Sequence, residues 1–128
     1  MMFGLALFVL ATQDDSNLCA NANTTADIVE CTGIVLKMAD EQMSHAWQLA
    51  LARMRHKDRE AAKIGATKRP TYADALLDSQ RKWLAFRDSQ CLLESIRMRG
   101  GSGEGYGRSN CLIEQTSKRA ATLRDIDF

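Results

Sequence analysis

The chain has little of what catalytic and metal-binding proteins usually carry. Histidine occurs only twice, at His45 and His56, and neither belongs to an HExxH motif or to an evident nucleophile pair. Glu41 and His45 can touch across one helical turn, which is an ordinary surface contact. The glycine-rich residues 100–107 are not followed by GK[ST], so they form no P-loop. We therefore expect a protein that is not an enzyme and binds no cofactor.

Long hydrophobic runs are also missing. The apolar run from Phe3 to Ala11 is far below the roughly 20 residues of a membrane-spanning helix. It has the length of a signal-peptide core, although no Lys or Arg precedes it. Residues 1–13 are interpreted as a signal peptide or its remnant, with a buried N-terminal segment as the alternative, and residues 14–128 as one domain. Bulky Leu18 before Cys19 does not fit a lipoprotein box, so we expect no stable membrane anchor.

An excess of either charge is absent from the chain as a whole, whose formal net charge is +1. Locally, seven Lys or Arg residues lie between Arg53 and Arg69, against Asp58 and Glu60. This stretch is interpreted as a solvated helix end and linker. Binding of nucleic acid or anionic lipid would instead make any interaction steeply salt-dependent. We expect a protein partner and no nucleic acid.

The four cysteines form two pairs along the sequence, Cys19 with Cys31 and Cys91 with Cys111. Zinc sites hold their ligands in close CxxC or HxxxH pairs, so these wide spacings predict disulfides and no metal site. Four cysteines allow three pairings. Sequential pairing is the one that both spacings can satisfy locally, and disulfides favour a compartment outside the reducing cytosol.

The breaks in the sequence predict three helices. Proline occurs only at Pro70, and glycines cluster between residues 100 and 107. The first helix is predicted to open after Thr24 and Thr25, with Asp27 in its first turn. Its apolar stripe, read at three- and four-residue steps, comprises Ile28, Cys31, Val35, Met38, His45, Ala46 and Leu49.

The other two helices follow the same helical period. One is predicted to begin near Thr71 and to run to about Arg99, and the next to begin around Ser109 and Asn110. No strand-like alternation of useful length occurs. The predicted fold is therefore all-α, a small helical bundle of about three main helices with two disulfides.

A Trp-Arg-Asp set in the second helix invites two interpretations. Trp and Arg are frequent interface anchors, which would make Trp83 and Arg87 a binding site. The structural interpretation is that Trp83 and Arg87 stack across one turn while Asp88 pairs with Arg119 or with another helix's cation. We favour the structural role, in which these four residues orient the helices.

Several segments then carry a resemblance to a known family. LLDSQRKWLAFRDSQC, the following GGS and CLIEQTSKRAATLRDI resemble the second half of the LprI-type lysozyme inhibitor N-terminal domain family. The segment from Cys19, CANANTTADIVECTGIVLKMADEQMSHAWQLAL, is similar to its opening pattern. The resemblance extends from about Cys19 to Ile126, and its most specific part is the QRxWxxxRDxxC block.

The resemblance implies a small, helical, disulfide-containing protein that is periplasmic or secreted. For the namesake of the family it implies inhibition of lysozyme, together with a lipid attachment that this sequence does not match. The alternative is an immunity or adaptor protein that binds another cell-envelope enzyme or toxin.

The glycine-rich loop is a candidate inhibitory element. Ser102 can form hydrogen bonds, Tyr106 can stack on a sugar-binding surface, and Arg108 can face a catalytic carboxylate. The alternative is a helix connection whose glycines accommodate the neighbouring cross-link and tight packing.

Overall fold

The computed structural model describes residues 19–127, which form three helices joined by short connections. They are α1 (Thr25–Lys63), α2 (Tyr72–Ile96) and α3 (Glu104–Asp125), and no strand occurs among the described residues. The predicted all-α fold with three helices and two disulfides is confirmed. The predicted signal peptide, residues 1–13, lies outside the described residues.

Threonine side chains start the first two helices, as the sequence predicts. Thr24 Oγ1 accepts a hydrogen bond from the Asp27 amide at 3.1 Å, and the Asp27 carboxylate accepts one from the Thr24 amide at 3.0 Å. This reciprocal pair is a capping box, which satisfies two otherwise unpaired amides. Thr71 Oγ1 likewise accepts from the Asp74 amide at 3.1 Å. The helix that Thr71 opens ends at Ile96, slightly earlier than expected.

The three helices form an up-down-up bundle, in which each helix runs antiparallel to the one before it. Ile28 at the start of α1 lies beside Tyr106 at the start of α3, whereas Arg53 near the end of α1 reaches the end of α3. The first and third helices are therefore parallel. The second runs against both, because Tyr72 at its start meets Asp58 near the end of α1.

Small residues of α1 make the centre of the core. Ala46, Ala50 and Met54 are almost fully buried against Leu76 of α2 and Leu123 of α3, with Ala120 beside them. Alanines at four-residue spacing let the α3 backbone come close, and α1 packs more extensively on α3 than on α2.

The predicted stripe of α1 is wrong at His45 and Leu49, which are exposed, and is confirmed at Ala46, which is almost fully buried. The buried line runs through Ala39, Ala46 and Ala50. Alanines carry a weak hydrophobic signal, so the larger Leu49 shifted the predicted stripe by about 100°, the step of one residue. The half-buried Ile28 and Val35 agree with the prediction.

Two side chains of α1 cap the other helices at one end of the bundle. Arg53 donates to the Leu123 carbonyl at 2.8 Å and to the Ile126 carbonyl at 3.2 Å. Asp58 accepts from the backbone amides of Tyr72 at 2.8 Å and Ala73 at 3.0 Å. A cation thus meets a helix C-terminus and an anion meets a helix N-terminus, which are the favourable polarities for both helix dipoles.

A tryptophan with two arginines connects the helices at mid-height. The Arg87 guanidinium carbon lies 5.2 Å from the Trp83 ring centroid, and that of Arg119 lies 5.7 Å away, both within cation–π distance. Arg87 also donates to Thr116 Oγ1 of α3 at 3.2 Å and forms an ion pair with Asp40 of α1 at 3.5 Å. The predicted stacking of Trp83 on Arg87 is therefore present.

Arg119 has partners that the sequence did not suggest. Its guanidinium donates to Gln80 Oε1 at 2.9 Å and to Ser79 Oγ at 3.1 Å. Burial lowers the pKa of Arg119, yet an arginine stays protonated at physiological pH. The predicted pairing of Asp88 with Arg119 or with another helix's cation is wrong, because Asp88 pairs with Arg87 of its own helix at 3.1 Å. Gln80 and Asp88 are about 12 Å apart along α2, too far for one guanidinium.

The end of α1 is a Schellman motif. The Ala66 amide donates to the Ala61 carbonyl at 2.9 Å, and the Gly65 amide donates to the Ala62 carbonyl at 3.2 Å. Gly65 adopts a φ of 67°, in the left-handed region that favours glycine.

Alanine substitution should have opposite effects at Gly33, inside α1, and at Gly65, just beyond its end. At Gly65 a Cβ would meet no atom within 4 Å, so the cost is the left-handed backbone alone. We expect Gly65→Ala to lower the free energy of unfolding by about 1 kcal/mol. Gly33→Ala, inside the helix and equally unobstructed, should raise it by about 0.5–1 kcal/mol. Urea unfolding measures both changes in the free energy of unfolding. Changes of the same sign in the two variants would contradict the assignment of a left-handed backbone to Gly65.

Lysine should be a poor substitute for Arg119. Its ammonium group cannot reproduce the planar guanidinium that donates to Gln80 and stacks on Trp83. We expect Arg119→Lys to lower the free energy of unfolding by about 1–2 kcal/mol. Arg81→Lys, on the exposed face of α2, is the matched control and should change it by less than about 0.5 kcal/mol. Equal effects of the two variants on urea unfolding would exclude a structural role for the Arg119 contacts.

Candidate functional site

Both disulfides lie at the same end of the bundle. Cys19 is bonded to Cys31 in the second turn of α1, and Cys91 of α2 is bonded to Cys111 of α3. The predicted sequential pairing is confirmed. We call residues 19–35 and 91–111 the disulfide end.

The glycine-rich segment at this end is largely helical, which corrects the predicted loop. Only residues 97–103 connect α2 to α3, and α3 starts at Glu104 rather than around Ser109 and Asn110. Gly103 stands at the N-cap without a side-chain hydrogen bond, while the Glu104 carboxylate reaches back to accept from the Gly100 amide at 3.1 Å.

Close packing occurs at one glycine of this segment, Gly103 at the N-cap of α3. A Cβ built on Gly103 would lie 2.7 Å from the Met98 sulfur, so Met98 would have to move. A Cβ on Gly107 would lie 3.7 Å from that sulfur, an ordinary contact, and one on Gly105 would meet no atom within 4 Å. The expectation that the glycines accommodate tight packing agrees with the geometry at Gly103 alone.

The three predicted partner-binding residues are placed in different directions. Ser102 is exposed in the connection, while Tyr106 and Arg108 are exposed on the first turns of α3. Side chains two residues apart on a helix diverge by about 200°. Tyr106 and Arg108 therefore cannot enter one narrow cleft together, as a flexible loop would allow.

Tyr106 forms one wall of a shallow groove. The groove has a volume of about 320 Å³ and lies between the start of α3 and the start of α1. Its other lining residues are mostly apolar or small: Cys19, Ala22, Ile28, Thr32, Val35, Asn110 and Ile113. The Cys19–Cys31 disulfide fixes the segment that closes one side, so the groove is held by covalent structure.

Exposed large apolar side chains concentrate around the two disulfides. The amino-acid sequence alone does not reveal this surface, because the exposure of single residues is defined only once the helices are packed. Its members on the described chain are Val29, Ile34, Leu92, Leu93, Ile96, Met98 and Tyr106. The exposed fraction reaches 60% at Leu93 and 54% at Val29. Apolar side chains grouped at one end of the bundle make this end the candidate interaction surface, because exposed apolar patches mark interaction sites on soluble proteins.

One titratable group at this end has a shifted pKa. Hydrogen bonding of the Asp27 carboxylate to Thr24, through its side chain and its amide, and to the Asn23 amide holds the pKa of Asp27 below its usual value of 3.8. Among residues 19–127 no group of His, Cys, Asp and Glu side chains could hold a metal ion. Within the same residues, none of the three helices combines the length and hydrophobicity needed to cross a bilayer.

The capping box predicts a pH dependence. Because the pKa of Asp27 is lowered on folding, its stabilising contribution is complete above pH about 4 and is lost as the pH falls through the folded-state pKa. The difference in the free energy of unfolding between the parent and Asp27→Asn should therefore be larger at pH about 6 than at pH about 3. Urea unfolding at both pH values measures it, and a difference that grows on acidification would refute the capping role.

Comparison with known proteins matches the chain to one family. The family described as "Lysozyme inhibitor LprI" matches residues 17–123. The chain is also 35% identical over 111 residues to the uncharacterized protein R02472 of Rhizobium meliloti (strain 1021), covering 84% of this chain and 77% of that protein. No solved structure matches it. With most of its length matched, including all three helices up to Leu123, the chain belongs to the LprI lysozyme inhibitor family.

Proposed function

We propose that the protein is a non-catalytic, periplasmic or secreted binding protein that inhibits a lysozyme through its disulfide end. The observation that carries the proposal is the cluster of exposed apolar side chains around the two disulfides. Membership of the LprI family supports lysozyme as the partner. The two disulfides support a location outside the cytosol, where such bonds persist.

The composition of the disulfide end suits a protein partner. Tyr, Met and Arg are enriched at protein interfaces, and this end exposes Tyr106, Met98 and Arg108. Two cross-links reduce the freedom that these residues have before binding. A preorganised surface loses less conformational entropy on association, which favours affinity.

Charge directs a lysozyme toward the same end. The cleft of a lysozyme contains two catalytic carboxyl groups, for which an exposed cation such as Arg108 is a suitable counterpart. Many lysozymes are basic overall, so the excess of Lys and Arg between residues 53 and 69 would repel them. The disulfide end carries four acidic residues against three arginines: Asp27, Glu30, Glu94 and Glu104, against Arg97, Arg99 and Arg108.

The helical placement of Tyr106 defines how such a partner would be contacted. Since Tyr106 and Arg108 diverge on α3, they would contact two separate places on the partner rather than one pocket. The bundle end would then cover the mouth of the cleft as a broad surface, with the apolar residues of α2 extending the contact.

The proposal predicts that a double variant of the disulfide end weakens inhibition. Tyr106→Gln with Arg108→Gln should raise the inhibition constant by roughly thirtyfold or more, since loss of an interface anchor costs about 2 kcal/mol. The matched control is Tyr72→Gln with Arg81→Gln, which changes the same residue types elsewhere; Tyr72 is 45% exposed, against 40% for Tyr106. The control should inhibit like the parent. Peptidoglycan turbidity assays with a panel of lysozymes measure inhibition.

Circular dichroism of each variant shows whether the helices are retained. Equal inhibition by both double variants would reject the disulfide end as the binding surface. If the parent inhibits no lysozyme, lysozyme inhibition itself is rejected. Capture of another cell-envelope enzyme by the parent would then favour the immunity or adaptor function.

A further inference from the structure

The end of the bundle opposite the disulfides exposes a second, different surface. We call residues 55–72, which comprise the last turns of α1, the connection and the start of α2, the basic tip. Its cations are Arg55, Lys57, Arg59, Lys63, Lys68 and Arg69. Its acidic residues are Asp58 and Glu60, and Asp58 is engaged with the backbone amides of Tyr72 and Ala73. The tip therefore presents a concentrated positive charge.

Three of these cations form a line on one face of α1. Arg55, Arg59 and Lys63 are spaced by four residues, which places them one above another on the helix, and all three are exposed. Lys63 pairs with Glu60 at 2.6 Å, and Arg69 pairs with Asp74 at 3.1 Å. Both pairs are largely exposed, so they are weak and can open toward another anion.

Apolar side chains lie among these cations at the extremity of the tip. Ile64 directly follows the line of cations and is 79% exposed, the largest fraction among the exposed large hydrophobic residues described. Tyr72 is 45% exposed at the start of α2. An open groove of about 810 Å³ separates the end of α1 from the connection, with Ile64, Pro70 and Tyr72 among its walls beside Lys57 and Lys68.

We propose that the basic tip docks on the surface of a bilayer rich in anionic phospholipids. Lysines and arginines near an anionic leaflet are attracted to it, and their number sets the strength of attraction. Ile64 would enter the interfacial region, where an isolated apolar side chain gains from leaving water, and Tyr72 suits the headgroup level. A nucleic acid would satisfy the cations but would leave the exposed Ile64 without a role.

Docking by the basic tip would leave the disulfide end accessible. The two surfaces are separated along α1 by the stretch from residue 35 to residue 55, which is about 30 Å long. Lipid binding and lysozyme binding therefore use separate surfaces. The lipid proposal does not rest on the proposed function, and either can fail alone.

Vesicle flotation with the oxidised protein tests the proposal. Vesicles of phosphatidylglycerol mixed with phosphatidylcholine should bind the protein, and vesicles of phosphatidylcholine alone should not. Binding should weaken steeply as salt is raised. Lys63→Gln with Lys68→Gln should weaken binding by about fivefold for each charge removed. The matched control, Lys82→Gln with Lys118→Gln, removes two exposed lysines from the sides of the bundle and should weaken it by less than about twofold in total.

Ile64→Ser tests the apolar contact and should weaken vesicle binding by about fivefold with the helices retained. Three results would refute the docking surface. They are an equal loss of vesicle binding in the two double lysine variants, binding of the parent to pure phosphatidylcholine vesicles as strong as to anionic ones, and vesicle binding of Ile64→Ser that equals that of the parent. Preference for a single-stranded oligonucleotide over anionic vesicles would also refute it. Lysozyme inhibition measured without vesicles should be the same for Lys63→Gln with Lys68→Gln as for the parent, which keeps the two proposals distinguishable.

Discussion

The bundle depends on the way in which α1 fixes the ends of the other two helices. Arg53 bonds the last carbonyls of α3, and Asp58 bonds the first amides of α2. Five residues separate these two side chains along the sequence, so both partners are held at one level. Each interaction opposes the partial charge of a helix terminus, and each satisfies backbone groups that would otherwise lack a partner. The buried Ala46 and Ala50 of α1, which we call the alanine seam, can then pack closely against Ala120 and Leu123 of α3.

The opposite end is held by covalent bonds rather than by caps. The Cys91–Cys111 disulfide and the contact of Met98 with Gly103 bring α2 and α3 together where the connection is short. The Cys19–Cys31 disulfide holds the segment before α1 against its second turn. Apolar residues such as Leu93 and Val29 remain on the surface at this end, because each lies two residues from a cysteine and therefore on another face of its helix. Three helices leave one side of each exposed at this end, and the disulfides maintain that geometry.

The features that could be predicted from the sequence are those defined by residues close together along the chain. Thr24 and Thr71 are caps defined by a few neighbouring residues, and the pairing of the cysteines follows from their spacing. Contacts between distant segments could not be seen. Asp58 meets Tyr72 and Arg119 meets Gln80 only after the helices pack, so neither appears in a local pattern.

The helical start of α3 was missed for a related reason. Glycine usually signals a loop, but here Gly105 and Gly107 lie within α3, and Gly103 at its N-cap provides the space that Met98 fills. The same error placed Tyr106 and Arg108 on a loop, whereas both are exposed on the first turns of α3. The family resemblance supplied what local patterns could not, namely the family to which the chain belongs.

The positions of the disulfides also determine how the chain is connected covalently. One lies wholly within residues 19–31 and the other links α2 to α3, so neither joins α1 to the rest of the molecule. The connection of residues 64–71 is thus the sole covalent path between α1 and the cross-linked pair of helices among the described residues. Cleavage of one peptide bond there would yield two chains that only the alanine seam, the caps and the Trp83 cluster hold together. After such a cleavage the molecule would be a non-covalent complex of α1 with the disulfide-linked pair of α2 and α3.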